Sequence, residues 1–293
     1  MKVGHSENKM KKDNILTFDK LTSVEQRYET DLYQVSTEVN KLINAYDPNE
    51  LDQMEELIDK LFDYSEKITD WATNTANKIV DQLDKNSKQE WEKHSKRMSF
   101  AMKQELTKAD TGIALKKFMD DNVYLIKSLP SEAAKRIHQI IYKNLYTGEL
   151  RAAGLTKEIM KTKDITKNRA ATIARTEISR AATGLTKARS EAINIYWFIW
   201  RSTKDIRTRK AHKLLNGVLV NYSDPPSPES LIGEKSYGYY LPGAIFNCRC
   251  YAAPLIRIDD ISWPAKVYRN DKIERMARNK FVELTEGQYR LAA

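Results

Sequence analysis

Five residues in the second half of the chain combine an arginine with side chains that bind metals or transfer protons. Asp205, Arg209 and His212 are spaced at i, i+4 and i+7, so a helix would carry all three on one face. Cys248 and Cys250 are separated by one residue, so a strand would point both thiols to the same side. This spacing allows the five side chains to share one interior, and three interpretations are open.

The first interpretation is a zinc site formed by His212, Cys248 and Cys250. Imidazole and thiolate are ligands that zinc prefers, and a Cys-x-Cys pair can chelate an ion from one strand. The fourth ligand would have to be Asp205, a distant residue or water. Along a helix, Asp205 would lie about 10 Å from His212, which is far for two ligands of one ion. Apart from zinc, no cofactor is expected.

The second interpretation is cleavage of DNA or RNA. His212 would act as general acid or base, and Arg207, Arg209 or Arg249 would hold a phosphate. However, no motif supplies a second acid or base, and the sequence lacks a Gly-rich phosphate loop, a G-x-S-x-G motif and an H-E-x-x-H motif.

The third interpretation is structural, and the residue chemistry favours it. Buried cysteines behave as small apolar groups. His212 would hydrogen-bond to a loop carbonyl, Asp205 would cap the N-terminus of its helix, and the arginines would clamp a long loop. Under this interpretation the chain has no catalytic residue.

Apolar spacing predicts that most of the first 195 residues are helical. From Leu21 to Tyr46, apolar residues recur every three or four positions, which is typical of a helix. The sequence Asp-Pro-Asn-Glu at 47–50 then predicts a stop, with Asp47 as N-cap of a second helix. Further helices are expected at 87–108, 118–129 (ended by Pro130), 131–145 and 166–193.

The pattern changes at Tyr196, where an aromatic segment predicts a buried strand over 196–200. The later expectations are a helix at 205–215, strands at 218–220 and 246–258, and a helix at 272–281. The predicted fold class is α+β and mostly helical, with a long N-terminal helical hairpin or bundle followed by a small α+β module with a short sheet. The predicted segments are a flexible tail (1–20), the helical hairpin or bundle (21–110), a helical lead-in (111–195), the α+β module (196–258) and a basic C-terminal tail with one helix (259–293).

The charge balance points to an anionic partner. The net charge is +9 and the pI is about 9.2, which favours binding to nucleic acid, to an acidic protein surface or to lipid headgroups. Because the basic residues are spread along the chain, they could equally serve solubility alone. No run of 18 apolar residues occurs, so no membrane span is expected.

Several short motifs together resemble the phage Mu F-like minor head protein family. They are IARTEISRA at 173–181, which contains Arg175, Thr176 and Glu177; an aromatic strand ending at Trp200; D-x-R-T-R-x-x-H at 205–212; L-x-G ending at Gly217; a P-G pair; N-C-R-C from Asn247 to Cys250; and Pro254. Their order and spacing make the resemblance specific over 166–254. Residues 121–150 resemble the helical lead-in of that family.

This resemblance implies a minor capsid protein of a tailed phage, which assists head morphogenesis and genome delivery without catalysis. The implied partners are the portal protein, other capsid or scaffolding proteins, and double-stranded DNA bound electrostatically. The implied location is the virion, inside the capsid or at the portal vertex, after synthesis in the host cytoplasm. Arg175 and Glu177 would tie the long helix to the module, and the residues expected to hold the module closed are Asp205, Arg209, His212, Cys248 and Cys250. The alternatives are a nuclease that uses His212 and a simple DNA-binding module.

Overall fold

The structure is a computed structural model that describes residues 21–96, 98–150, 152–203 and 206–285. The predicted flexible tail at 1–20 and the candidate ligand Asp205 lie outside these residues. Eight α-helices occur in the described part of the chain, and none of them is long and apolar enough to cross a membrane. They are α1 (Leu21–Asn44), α2 (Leu51–Lys67), α3 (Thr69–Ser95), α4 (Phe100–Thr107), α5 (Gly112–Thr147), α6 (Ala152–Ala192), α7 (Lys210–Leu215) and α8 (Arg278–Leu284).

Five strands form one small sheet, so the predicted α+β, mostly helical fold class is confirmed. The strands are β1 (Trp197–Arg201), β2 (Leu219–Asn221), β3 (Tyr251–Pro254), β4 (Ala265–Arg269) and β5 (Lys272–Met276). The chain divides into two compact units, each built from segments that are far apart in sequence. Within the described residues, the helical unit comprises 22–82 and 116–177, and the sheet unit comprises Leu21, 83–115 and 178–285.

The helical unit has a core made by the apolar stripes of its helices. On α1 the predicted stripe is buried at Val24, Tyr28, Leu32, Val35 and Val39. A heptad-like spacing places these side chains on one face, which packs away from water. The same core continues through apolar residues of α2, α5 and α6.

One polar contact is buried inside this unit. The Tyr28 hydroxyl donates to the Asn122 side-chain oxygen at 2.6 Å, and both residues are fully buried. Burial together with the negative charge of Glu177 raises the pKa of Tyr28 well above its ordinary value, so the phenol remains a donor.

The predicted helix break at Pro130 is wrong, because α5 runs through this residue. A proline in a helix removes one N–H donor and disturbs the preceding turn. Hydroxyl groups satisfy nearby carbonyls: Ser128 donates to the Leu125 oxygen at 2.7 Å, and Ser65 of α2 donates to the Lys127 oxygen at 2.8 Å. The bond from Ser65 is a tertiary contact that local rules do not include, and the helix is continuous where those rules predict its end.

The predicted N-cap at Asp47 is also wrong. Helix α2 begins at Leu51 with Glu50 in the N-cap position. The Asp47 carboxylate instead accepts the Asn49 backbone N–H at 3.0 Å, which closes an Asx turn in the connection before the helix.

The sheet has the strand order β3-β1-β2-β4-β5. All neighbours are antiparallel except β2 and β4, which pair in parallel through Leu219 and Val267. Both faces of the sheet are covered. Trp197 and Ile199 of β1 belong to a core cluster on one face, and Phe198 and Trp200 belong to a cluster on the other. A strand buried on both faces reads as a continuous apolar run, which explains the aromatic segment at 196–200.

The predicted helix over Lys272–Phe281 is wrong in its first half. Residues 265–276 form the β4–β5 hairpin, and helix α8 starts only at Arg278. The two turn residues Asn270 and Asp271 both have positive φ, at 49° and 59°. Asparagine and aspartate adopt this conformation more readily than other non-glycine residues, and two such residues make a tight hairpin turn.

Candidate functional site

The structure brings His212, Cys248 and Cys250 together in one buried cluster. His212 is on α7, and the two cysteines immediately precede β3. The Nδ1 atom of His212 lies 3.5 Å from the sulfur of Cys248 and 3.5 Å from the sulfur of Cys250. The three residues are only 1%, 2% and 4% exposed, and their potential ligand atoms all lie within 4.8 Å of one another.

The opposite edge of the imidazole contacts a phenol and a carboxylate. The Tyr240 hydroxyl donates to Glu229 Oε1 at 2.6 Å, so its oxygen is available to accept the His212 Nε2–H across 3.0 Å. This network places the proton on Nε2 and leaves the Nδ1 lone pair directed at the two sulfurs. The structural interpretation expected a loop carbonyl as the partner of His212, and the observed partner is a tyrosine hydroxyl.

The two cysteine thiols shift each other's pKa in opposite directions. A hydrogen bond from Cys250, helped by His212, lowers the pKa of the Cys248 thiol to about 4, although burial acts in the opposite direction. The hydrogen bond to Cys248 and burial raise the pKa of Cys250. In addition, the Cys250 backbone N–H donates to the Cys248 sulfur across 3.4 Å.

The loop that carries the cysteines is fixed against the second half of α6. Thr183 donates its hydroxyl proton to the Pro242 oxygen at 2.7 Å, and Arg180 donates to the Ala244 oxygen at 3.0 Å. Between these contacts lies Gly243, with φ of +82°. A Cβ at this position would lie 3.0 Å from the backbone oxygens of both Ser179 and Cys250, so only glycine fits without displacement of the loop.

The other predicted module residues surround the cluster. Arg209 is in the N-cap position of α7, donates to the Phe246 oxygen at 3.0 Å and lies 4.7 Å from the centre of the Phe246 ring. Gly217 ends the connection after α7 with φ of +81°, and Asn247 has φ of +56° directly before Cys248. The side chains of Arg207 and Arg249 are exposed. Since α7 starts at Lys210, the predicted helix over 205–215 is too long and does not carry Arg209 and His212 on one regular face.

The motif residues Arg175, Thr176 and Glu177 belong to the helical unit. The Arg175 Nε donates to the Glu25 carboxylate at 3.3 Å, and Thr176 and Glu177 are buried at 6% and 4% exposure. On α6, the observed contacts to the cysteine loop come from Arg180 and Thr183.

Sequence reasoning missed three residues that shape the cluster: Tyr240, Glu229 and Thr183. Gly243 entered the sequence analysis only as part of the Pro-Gly pair at 242–243, which is typical of a turn. Glu229 follows three prolines in an irregular loop, and its burial depends on the path of the whole loop.

The fold and the cluster define a mostly helical protein whose small α+β module closes around buried histidine and cysteine side chains. Residues 135–253 match the model of the family described as phage Mu protein F like protein. This region runs from the second half of α5 to β3 and includes α6, α7 and both cysteines. The region is therefore phage Mu F-like, which confirms the resemblance inferred from the motifs.

An uncharacterized protein of Haemophilus influenzae (strain Rd) is 31% identical to this chain over 137 residues. The aligned part covers 46% of this chain and 28% of that protein, so the chain spans less than a third of the relative it matches. No solved structure matches the chain.

Proposed function

We propose that this protein is a head morphogenesis protein of a tailed phage and is incorporated into the virion as a minor capsid component. The observation that carries the proposal is the phage Mu F-like match over residues 135–253. The match includes α6 and the cysteine loop that Thr183 of this helix contacts, so it covers elements that pack together rather than an isolated motif.

The proposed partners are the portal protein and the packaged DNA, with a role in genome delivery. A net charge of +9 supports an electrostatic contact with the phosphate backbone, which would be independent of base sequence. Two exposed aromatic side chains on α5, Tyr142 and Tyr146, are 52% and 75% exposed and supply a surface suited to a protein contact.

The proposal includes no catalysis. His212 was the candidate acid or base for nucleic-acid cleavage, and it is 1% exposed with both ring nitrogens directed at protein atoms. A general acid or base must come within hydrogen-bond reach of the substrate, so this histidine is poorly placed to contact a phosphate.

The experiment is deletion of the gene from the phage that encodes it, with the protein supplied from a plasmid as control. We expect the protein to co-sediment with purified heads, and its loss to reduce the yield of DNA-filled heads. A normal yield of infectious particles without the protein, together with its absence from purified heads, would refute the proposal.

The DNA contact is tested separately with purified protein. Binding to duplexes of unrelated sequence should be similar, and affinity should fall steeply between about 50 and 200 mM salt because bound counterions are released. Affinity that does not change with salt would contradict an electrostatic contact, and cleavage of the duplex in the same samples would support the nuclease alternative.

A further inference from the structure

We propose that His212, Cys248 and Cys250 bind one zinc ion, with a solvent molecule in the fourth position. The proposal concerns what holds the sheet unit together and does not depend on the role of the protein in the phage head.

The distances within the cluster fit an ion at its centre. A zinc ion lies about 2.3 Å from a thiolate sulfur and about 2.0–2.1 Å from an imidazole nitrogen, and tetrahedral angles then separate nitrogen from sulfur by about 3.5–3.6 Å. Both observed Nδ1–Sγ distances are 3.5 Å. One ion bound by all three side chains accounts for both equal distances.

The surroundings of the imidazole are those of a metal ligand. A metal-binding histidine usually donates its second N–H to an oxygen that fixes the ring and its tautomer. Here Nε2 contacts the Tyr240 hydroxyl, which in turn donates to Glu229. Glu229 is 2% exposed, and its Oε2 atom has no hydrogen-bond partner among the described residues. His212, Tyr240 and Glu229 thus form a hydrogen-bond relay that ends at a buried carboxylate.

The backbone positions both sulfurs. The left-handed residue Asn247 turns the chain directly before Cys248, and the Cys250 N–H donates to the Cys248 sulfur. Arg249, between the cysteines, is exposed, so the two thiols lie on the buried side. The ion would link this loop to α7, which is 36 residues earlier in the chain, counted from His212 to Cys248.

A cysteine nucleophile paired with histidine is the main chemical alternative. Reactive cysteines are at least partly exposed, because the substrate must reach the sulfur. Cys248 is 2% exposed, and the loop that carries it is held against α6 by Thr183 and Arg180. A disulfide between the two cysteines is disfavoured because one intervening residue would strain it.

The test uses the full chain, purified through a tag that does not bind metal from cells grown with added zinc. Elemental analysis should give about one zinc ion per chain, as a single site requires. After removal of zinc by a chelator, Co²⁺ should produce a thiolate-to-cobalt charge-transfer band and the intense visible bands of four-coordinate cobalt. Reduced protein that contains no zinc and gives no cobalt spectrum would overturn the proposal, and so would a mass that shows an oxidised cysteine pair.

Variants identify the ligands. Cys248→Ser and His212→Gln should each abolish stoichiometric zinc, whereas the control Tyr222→Phe, equally buried on the same face of the sheet, should retain it. Tyr240→Phe keeps all three ligands but breaks the relay, so zinc should bind about 10–100-fold more weakly in a competition with a chelator. If a ligand variant fails to fold, the cobalt spectrum of the wild-type chain still decides the question. Full zinc occupancy in folded Cys248→Ser would refute the assignment.

Discussion

Replacement of Gly243 by alanine should destabilise the sheet unit strongly. Left-handed backbone disfavours any residue with a Cβ by about 1–2 kcal/mol. At Gly243 the new methyl group would also lie 3.0 Å from two backbone oxygens, those of Ser179 and Cys250. Backbone atoms cannot rotate away as a side chain can, and overpacking of this kind adds about 1–3 kcal/mol. We therefore expect Gly243→Ala to reduce the free energy of unfolding by about 2–5 kcal/mol.

Gly217 is the matched control for this experiment. Its φ of +81° is within one degree of the +82° of Gly243, but no atom lies within 4 Å of a Cβ built there. Gly217→Ala should therefore show only the backbone effect, about 1–2 kcal/mol. Urea unfolding followed by tryptophan fluorescence measures both variants, and equal m values show that the same transition is compared. Equal losses in the two variants would refute the close approach of the cysteine loop to α6.

Two further predictions concern buried polar contacts. Tyr28→Phe leaves the buried Asn122 oxygen without its donor and should reduce the free energy of unfolding by about 1–3 kcal/mol, measured in urea. Burial acts to raise the pKa of Asp84, but hydrogen bonds from Lys88 and Arg189 outweigh it and hold the pKa below the ordinary value of 3.8. A carboxyl group with a lowered pKa stabilises the fold fully above its unfolded-state pKa, and this stabilisation is lost as the pH falls through the folded-state pKa. The melting temperature of the wild-type protein should therefore fall below about pH 4, and in Asp84→Asn it should fall less.

Each of these predictions has a control on the same chain. Tyr124 is 71% exposed, so Tyr124→Phe should change the stability little, and a loss as large as that of Tyr28→Phe would contradict the buried contact. Asp63 pairs with Lys67 at 3.8 Å on an exposed surface, so Asp63→Asn should leave the acid response unchanged. An acid response that remains complete in Asp84→Asn would assign the transition to other carboxyl groups.

Features that depend on local pattern were predictable from the sequence. The spacing of apolar residues on α1 identifies its buried face, and the aromatic run that includes Trp200 identifies the interior strand β1. In both cases a periodicity of the backbone decides which side chains face the interior, and no distant residue is needed. The strand predicted over 246–258 is too long, because β3 begins at Tyr251 and both cysteines precede it.

Features that depend on distant residues were not predictable. Helix α5 passes through Pro130 because a serine on α2 supplies a hydroxyl to a nearby carbonyl. Glu229 reaches the His212 relay only because the proline-rich loop folds back over the sheet. The β4–β5 hairpin was not predicted because the charged residues of its strands are also typical of a helix. The positive φ values at Asn270 and Asp271, which form its turn, are known only from the structure.

The discontinuous composition of the two units determines the order in which the chain can fold during synthesis. The helical unit has all of its segments once residue 177 has left the ribosome. Residues 83–115 are made early but belong to the sheet unit, which is complete only after β4, β5 and α8 have been synthesised. Because chains are synthesised from the N-terminus, Trp91 cannot pack into its core cluster until partners such as Ile193 and Ile256 have been synthesised. The nascent protein therefore carries exposed apolar surface from this early segment until Ile256, which follows β3, has been synthesised.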